Sequence, residues 1–299
     1  MQMSMQGLHL LLTYKCNARC RHCFLSAGPD RREVFSSALA KKIIDEASLM
    51  STVNHLFVEG GEPFLFPELL LSTIRYATDR GFWIGALTNG FWAISEQKAE
   101  ERLKPMVAAG LKSLSISTDA WHEEFVPVSR VNIAVDAARS LGLKVDVMHC
   151  ESGSTADGAE SAPFSAGDIV CRGRAATSLC VNGNKDWKSL TTCLEELKSP
   201  GRVHIDPLGE IHLCQGLLLG ETAIKKSVNQ IFEDYQPENH PLVASLAAGG
   251  PAALARFAKS YGWKPSQGYV DGCQLCSEVR KALKEHFPKL IGPAFVFTN

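Results

Sequence analysis

The sequence lacks a surplus of either charge: 31 Lys and Arg stand against 32 Asp and Glu, a formal net charge of −1. It therefore carries no basic footprint for nucleic acid. The start, MQMSMQGLHLLLTYKC, lacks a basic region and a small-residue cleavage site, and no apolar run approaches the roughly 18 residues of a spanning helix. Neither nucleic acid nor membrane is expected as a partner, and the chain reads as cytoplasmic. Low-complexity tracts are missing too. At 299 residues the chain can bury a full core, which excludes the small disulfide-stapled class. What it does contain is cysteine, ten in all. In a reducing compartment, clustered cysteines point to metal binding or redox chemistry rather than to structural disulfides.

The first half alternates two periodicities. Leu8 to Thr13, His55 to Glu59, Trp83 to Thr88, Ser113 to Thr118 and Lys144 to His149 are short apolar runs that read as strands. Ser37 to Met50, Pro67 to Arg80, Ser95 to Ala109 and Arg130 to Leu141 carry apolar residues at helical spacing. Gly81, Gly110 and Gly142 follow three of these helices, where a left-handed C-cap favours glycine. Alternating βα units predict an α/β fold with a parallel sheet, whose chemistry gathers at the carboxyl ends of the strands. Glu151 to Gly167, rich in Ser, Ala and Gly, replaces the next helix and reads as a mobile loop or lid. From about Lys185 the rhythm is lost: Val203 to Asp206 and Ile211 to Cys214 read as a hairpin, Ala252 to Tyr261 and Cys276 to Phe287 as helices. The expected domains are 1–182 and 183–299.

Cys16, Cys20 and Cys23 lie within eight residues just after the first strand. Soft thiolates at C-x3-C-x2-C can wrap one small cluster, and three of them leave one iron of a [4Fe–4S] cube open. A zinc knuckle, with His22 as fourth ligand, and buried free thiols are the competing readings. The motif and its place after the first strand resemble the radical S-adenosylmethionine (SAM) superfamily. That resemblance implies a partial (β/α)6 TIM-like barrel, a catalytic [4Fe–4S] cluster on the three cysteines and SAM chelated by the open iron. His22 stands where the family places an aromatic residue against the SAM adenine. Gly60-Gly61-Glu62-Pro63 taken alone reads as a plain turn, but in this place it resembles the family's turn after the second strand, with Glu62 suited to the SAM ammonium group. By the same resemblance Thr88 and Asn89, Ser117 and Asp119, and Arg130 are further SAM contacts, Ser117 and Asp119 to the ribose. Arg130 also reads as a solvated helix-start arginine. Arg172-Gly173-Arg174-Ala175 resembles a stretch of peptide-modifying members, although two arginines taken alone read as surface residues.

Cys193, Gly209 and Cys214, then Cys273-x2-Cys276, match the opening of the auxiliary-cluster (SPASM) module of the same superfamily. No cysteine follows Cys276, so the match is to the shortened "twitch" form, a small C-terminal α+β domain with one auxiliary [4Fe–4S] cluster on these four cysteines. A four-thiolate zinc ribbon is the alternative. Cys150, Cys171 and Cys180 read as buried thiols, one of which could donate a hydrogen atom, as could Cys214 if it is not a ligand. The resemblance implies reductive cleavage of SAM to a 5′-deoxyadenosyl radical, with electrons from a low-potential donor such as flavodoxin or ferredoxin. The expected substrate is a peptide, in ribosomal natural-product maturation or epimerisation. Dehydrogenation of a small alcohol or aminocyclitol is the second reading, and a non-enzymatic iron–sulfur or zinc protein the third. With the first strand starting near residue 7, a leader-binding domain is not expected ahead of it, and peptide recognition would fall to the barrel or to a separate protein.

Overall fold

A computed structural model of the chain describes residues 5–151, 165–266 and 268–297. Its contacts divide into two compact units.

One unit comprises Gly7–Cys20 and Ala27–Ile169. Its strands are β1 (Gly7–Thr13), β2 (His55–Gly60), β3 (Trp83–Thr88), β4 (Ser113–Ser117), β5 (Lys144–Glu151) and β6 (Ser165–Asp168), in spatial order β6-β5-β4-β3-β2-β1 and parallel throughout. The helices are α1 (Ser37–Ser48), α2 (Pro67–Asp79), α3 (Glu96–Ala108), the single turn α4 (Ala120–Glu123) and α5 (Val128–Ser140). The sheet is not closed, as a partial TIM-like fold requires. Nearly every residue of β1 is buried, because a parallel strand in such a sheet is covered on both faces. α1 packs on α2, α2 on α3 and α3 on α5. Ser36 and Ser95 start α1 and α3 by accepting from Leu39 and Lys98 N–H, and the three predicted C-cap glycines all have positive φ. Most of the predicted lid lies outside the described residues, but its last three residues fall in the sixth parallel strand, Ser165–Asp168. A four-residue strand in so small-residued a stretch carries no periodicity to announce it.

The other unit comprises Met1–Gln6, Arg21–Ser26 and Val170–Asn299, so the division falls at residue 170 and takes 170–182 with the C-terminal part. Here α6 (Ala175–Ser178) is followed by an antiparallel meander of β7 (Arg202–Ile205), β8 (Ile211–Cys214) and β9 (Leu217–Leu218), then by α7 (Val228–Glu233), α8 (Pro241–Ala258) and α9 (Gly272–Leu283). Non-helical backbone at Gly249 and Gly250 breaks α8 into two helical halves, of which the second, after the kink, agrees with the helix expected from Ala252 and the first was not expected. The span Pro241–Tyr261 has a mean hydropathy of 1.2 and meets the length for crossing a membrane, which the sequence reading did not register. Its apolar side chains, Leu242, Val243, Leu246 and Leu254, are buried in this unit. α9 starts at Gly272 rather than at Cys276, because Asp271 caps it by accepting from Gln274 N–H at 2.7 Å. Cys171 and Cys180 form a disulfide, with Cα atoms 5.8 Å apart across the turn of α6, and so are not free thiols.

Candidate active site and thiolate pocket

The carboxyl ends of β1, β2 and β3 are tied together through backbone and one carboxylate. Gly61 donates its N–H to Thr13 O at 2.6 Å and Glu62 its own to Lys15 O at 2.9 Å. A Cβ on Gly61 would stand 2.2 Å from Lys15 O, so the chain approaches the cysteine-bearing segment as closely as only glycine permits. Gly60, at φ 134°, makes the preceding turn, and Pro63 opens a short 3-10 turn. The Glu62 side chain is fully buried. Its Oε1 accepts from Phe64 N–H at 3.0 Å and from the Thr88 hydroxyl at 2.9 Å, and its Oε2 accepts from Asn89 N–H at 2.8 Å. Burial pushes this carboxyl up to about 7 against the pull of those three donors. As placed, Glu62 joins the ends of β2 and β3.

Asn89 continues the chain of contacts. Its side-chain amide donates to Asn17 Oδ1 at 3.0 Å and lies 3.8 Å from Cys16 Sγ, and Cys16 Sγ also accepts from Ala18 N–H at 3.4 Å. Two N–H groups on one sulfur suit a thiolate, the form that binds metal. Asn17 was not singled out from the sequence, and no signal short of the fold marks it. At the end of β4, Ser117 is half-buried and Asp119 buried. Asp119 accepts from Trp121 and His122 N–H, both at 3.0 Å, and from His122 Nδ1 at 2.9 Å, so it caps α4. Arg130 is half-buried, and its guanidinium donates to Phe91 O at 2.8 Å, just past Asn89.

His22 and Cys23 fall in the short stretch Arg21–Ser26 of the other unit, where both are half-buried. Here the segment beginning at Arg172 has a visible task. Gly173, at φ 52°, lies so close that a Cβ would meet Phe24 O at 2.2 Å and Cys23 O at 2.7 Å, and Arg174 donates its N–H to Cys23 O at 3.0 Å. The Ser178 hydroxyl donates to Arg21 O at 2.6 Å. The reading of two ordinary surface arginines fails, because Arg174 is buried and Arg172 half-buried.

Cys193, Cys214, Cys273 and Cys276 line one small pocket, together with Arg172, Arg280 and the apolar side chains of Leu197, Leu217 and Leu246. Three elements converge there: the segment after Trp187–Ser189, the end of β8, and α9, which supplies two positions three residues apart and hence on one helix face. Burial above all pushes the Cys193 and Cys276 thiols up and the Cys273 thiol up to about 11. Four soft donors and buried cations in one pocket fit a thiolate-held metal centre, since a metal ion replaces the lost hydration of the sulfurs. Arg280 was missed by the sequence reading. Its signal is the four-residue step from Cys276, which means nothing until α9 is known to start at Gly272.

A second polar cluster sits in the β7–β8 turn. Asp206 Oδ1 accepts from Leu208 and Glu210 N–H, both at 2.9 Å, and its Oδ2 lies 3.2 Å from His212 Nε2. Gly216 N–H donates to His212 Nδ1 at 3.2 Å. The cluster braces the turn.

Residues 10–150 match the radical SAM superfamily. The chain is 27% identical over 240 residues to a putative peptide biosynthesis protein, YydG, of Bacillus subtilis (strain 168), covering 74% of this chain and 73% of that one. It is 30% identical over 113 residues to an S-adenosylmethionine-dependent nucleotide dehydratase of Selenomonas ruminantium, of which it covers only 39%. Among solved structures, BtrN in complex with AdoMet and 2-DOIA has a similar fold, with a TM-score of 0.53 at 15% identity over 78% of this chain and 84% of that one. So does native anSMEcpe with bound AdoMet, with a TM-score of 0.51 at 10% identity over 95% and 98%.

Proposed function

We propose that this chain, a radical SAM enzyme by its residues 10–150, abstracts a hydrogen atom from a peptide and carries an auxiliary cluster on Cys193, Cys214, Cys273 and Cys276. The family's [4Fe–4S] cluster and SAM together supply a 5′-deoxyadenosyl radical when bound. The chain's own residues hold and order those groups. Cys16, Cys20 and Cys23 supply three thiolates, and Asn89, held by Glu62, directs its amide toward the first of them. Thr88, Ser117, Asp119 and Arg130 sit at or beyond the ends of β3 and β4, where the methionyl and ribose parts of SAM would lie. Gly60, Gly61 and Pro63 shape the turn that brings Glu62 there, and His22 offers its ring to the adenine.

The observation that carries the peptide reading is the likeness to YydG, which extends over 74% of the chain and thus past the superfamily region. The auxiliary centre rests on the convergence of four cysteines from distant parts of the C-terminal unit on one pocket. The test is SAM cleavage by the anaerobically reconstituted, dithionite-reduced enzyme, offered peptides encoded beside its gene. A cognate peptide should accelerate 5′-deoxyadenosine formation and leave as a modified product in the mass spectrum. Acceleration by small alcohols but by no peptide would replace this substrate class with the dehydrogenase reading.

A further inference from the structure

Arg280 is fully buried, and its recorded partners carry no negative charge apart from the cysteines. Its guanidinium donates to Gln215 O at 2.8 Å and Cys276 O at 3.4 Å and lies 5.5 Å from the ring centroid of Phe297. Its charged neighbours are Cys276, Cys214 and Cys273, together with the like-charged Arg172. Burying a guanidinium without an opposite charge is costly. What lies beside it is a set of thiols that become thiolates when metal binds. The stripe Cys273, Cys276, Arg280 runs down one face of α9, and its two cysteines sit in the first turns, where the helix dipole also favours negative charge. Arg172 approaches the same pocket with its guanidinium bonded to the Cys273 sulfur and, at 2.6 Å, to Glu195.

A four-cysteine [4Fe–4S] centre carries net negative charge that grows by one on reduction, and nearby positive charge and hydrogen bonds to sulfur stabilise the reduced form. From this arrangement we infer that Arg280, seconded by Arg172, is a tuning residue that biases the auxiliary centre toward its one-electron-reduced state. The inference rests on the auxiliary-cluster reading above.

The experiment uses the full chain with Cys16, Cys20 and Cys23 changed to Ala, so that any remaining iron–sulfur signal belongs to the C-terminal site. Metal analysis comes first. Zinc in place of iron, or no iron at all, would overturn the cluster reading and the inference with it. Given iron, EPR-monitored redox titration should show Arg280→Gln at least tenfold lower in its reduced-to-oxidised ratio at a fixed potential, a shift of about 59 mV for one electron. Arg280→Lys, which keeps the charge, should stay nearer the parent. A Gln titration that superposes on the parent, or a Lys shift as large as that of Gln, would refute the charge-based role. Should Arg280→Gln fail to hold iron, Arg172→Gln decides: a lower reduced fraction supports tuning, and a superposing curve sinks it.

Discussion

Glu62 shows how much one side chain can hold. Its carboxyl titrates near 7 in the fold against 4.5 for the free group, burial being the larger cause. The folded chain therefore binds this proton more tightly than the unfolded chain does. The cost of burial is absent below pH 4.5, grows through the interval and is complete above pH 7, at about 3 kcal/mol. Glu62→Gln removes that pH dependence, so thermal melts at pH 6 and 8 should show the variant gaining about 1 kcal/mol on the wild type as pH rises. The same change sets an amide N–H against Asn89 N–H, where the wild type has an acceptor. SAM affinity, by equilibrium dialysis, should fall by on the order of 1.5–3 kcal/mol if the hold on Asn89 orders the site. Gly173 is the second such residue. Ala there would push against Phe24 O and Cys23 O from an already left-handed backbone, so Gly173→Ala should destabilise the chain by about 1–3 kcal/mol and lower the iron held by the Cys16/Cys20/Cys23 loop.

Among the elements, the β7–β8 hairpin and α9 carry the argument. The hairpin ends at Cys214, half-buried, and its turn is stiffened by Asp206 and His212. That rigidity suits a ligand better than a mobile hydrogen-atom donor. Cys214→Ala should therefore lose auxiliary iron and alter its Mössbauer spectrum. If it keeps both clusters and SAM cleavage but stops net epimerisation, Cys214 is the donor instead. α9 begins at Gly272 because Asp271 caps it, and the same carboxylate accepts from Cys171 N–H at 3.1 Å, beside Arg172. One cap thus sets the register of two cysteines and anchors the strand of chain that carries an arginine toward them.

For the whole molecule, the proposed assignment of two sets of cysteines predicts two cubes and about eight irons per reconstituted chain. Replacing Cys16, Cys20 and Cys23 together by Ala should remove about half of the iron and abolish 5′-deoxyadenosine formation, measured by iron assay and chromatography. Persistent SAM cleavage in that variant would displace the catalytic assignment. The C-terminal centre should survive, because Cys16, Cys20 and Cys23 do not line the pocket that its four cysteines share.

The βα alternation, the three-cysteine loop and the glycine-rich turn were legible in the sequence because each is local: a period, a spacing, a left-handed glycine. Only the folded chain decided what depends on residues far apart. It placed Glu62 against Thr88 and Asn89, paired Cys171 with Cys180, and set Gly173 against the Cys23 loop. The four-residue strand β6 and the start of α9 escaped because short elements carry little periodicity and a cap outweighs the apolar pattern. Arg280 is the clearest case: in sequence it is one basic residue in a polar helix, and only burial beside four thiols gives its charge a task.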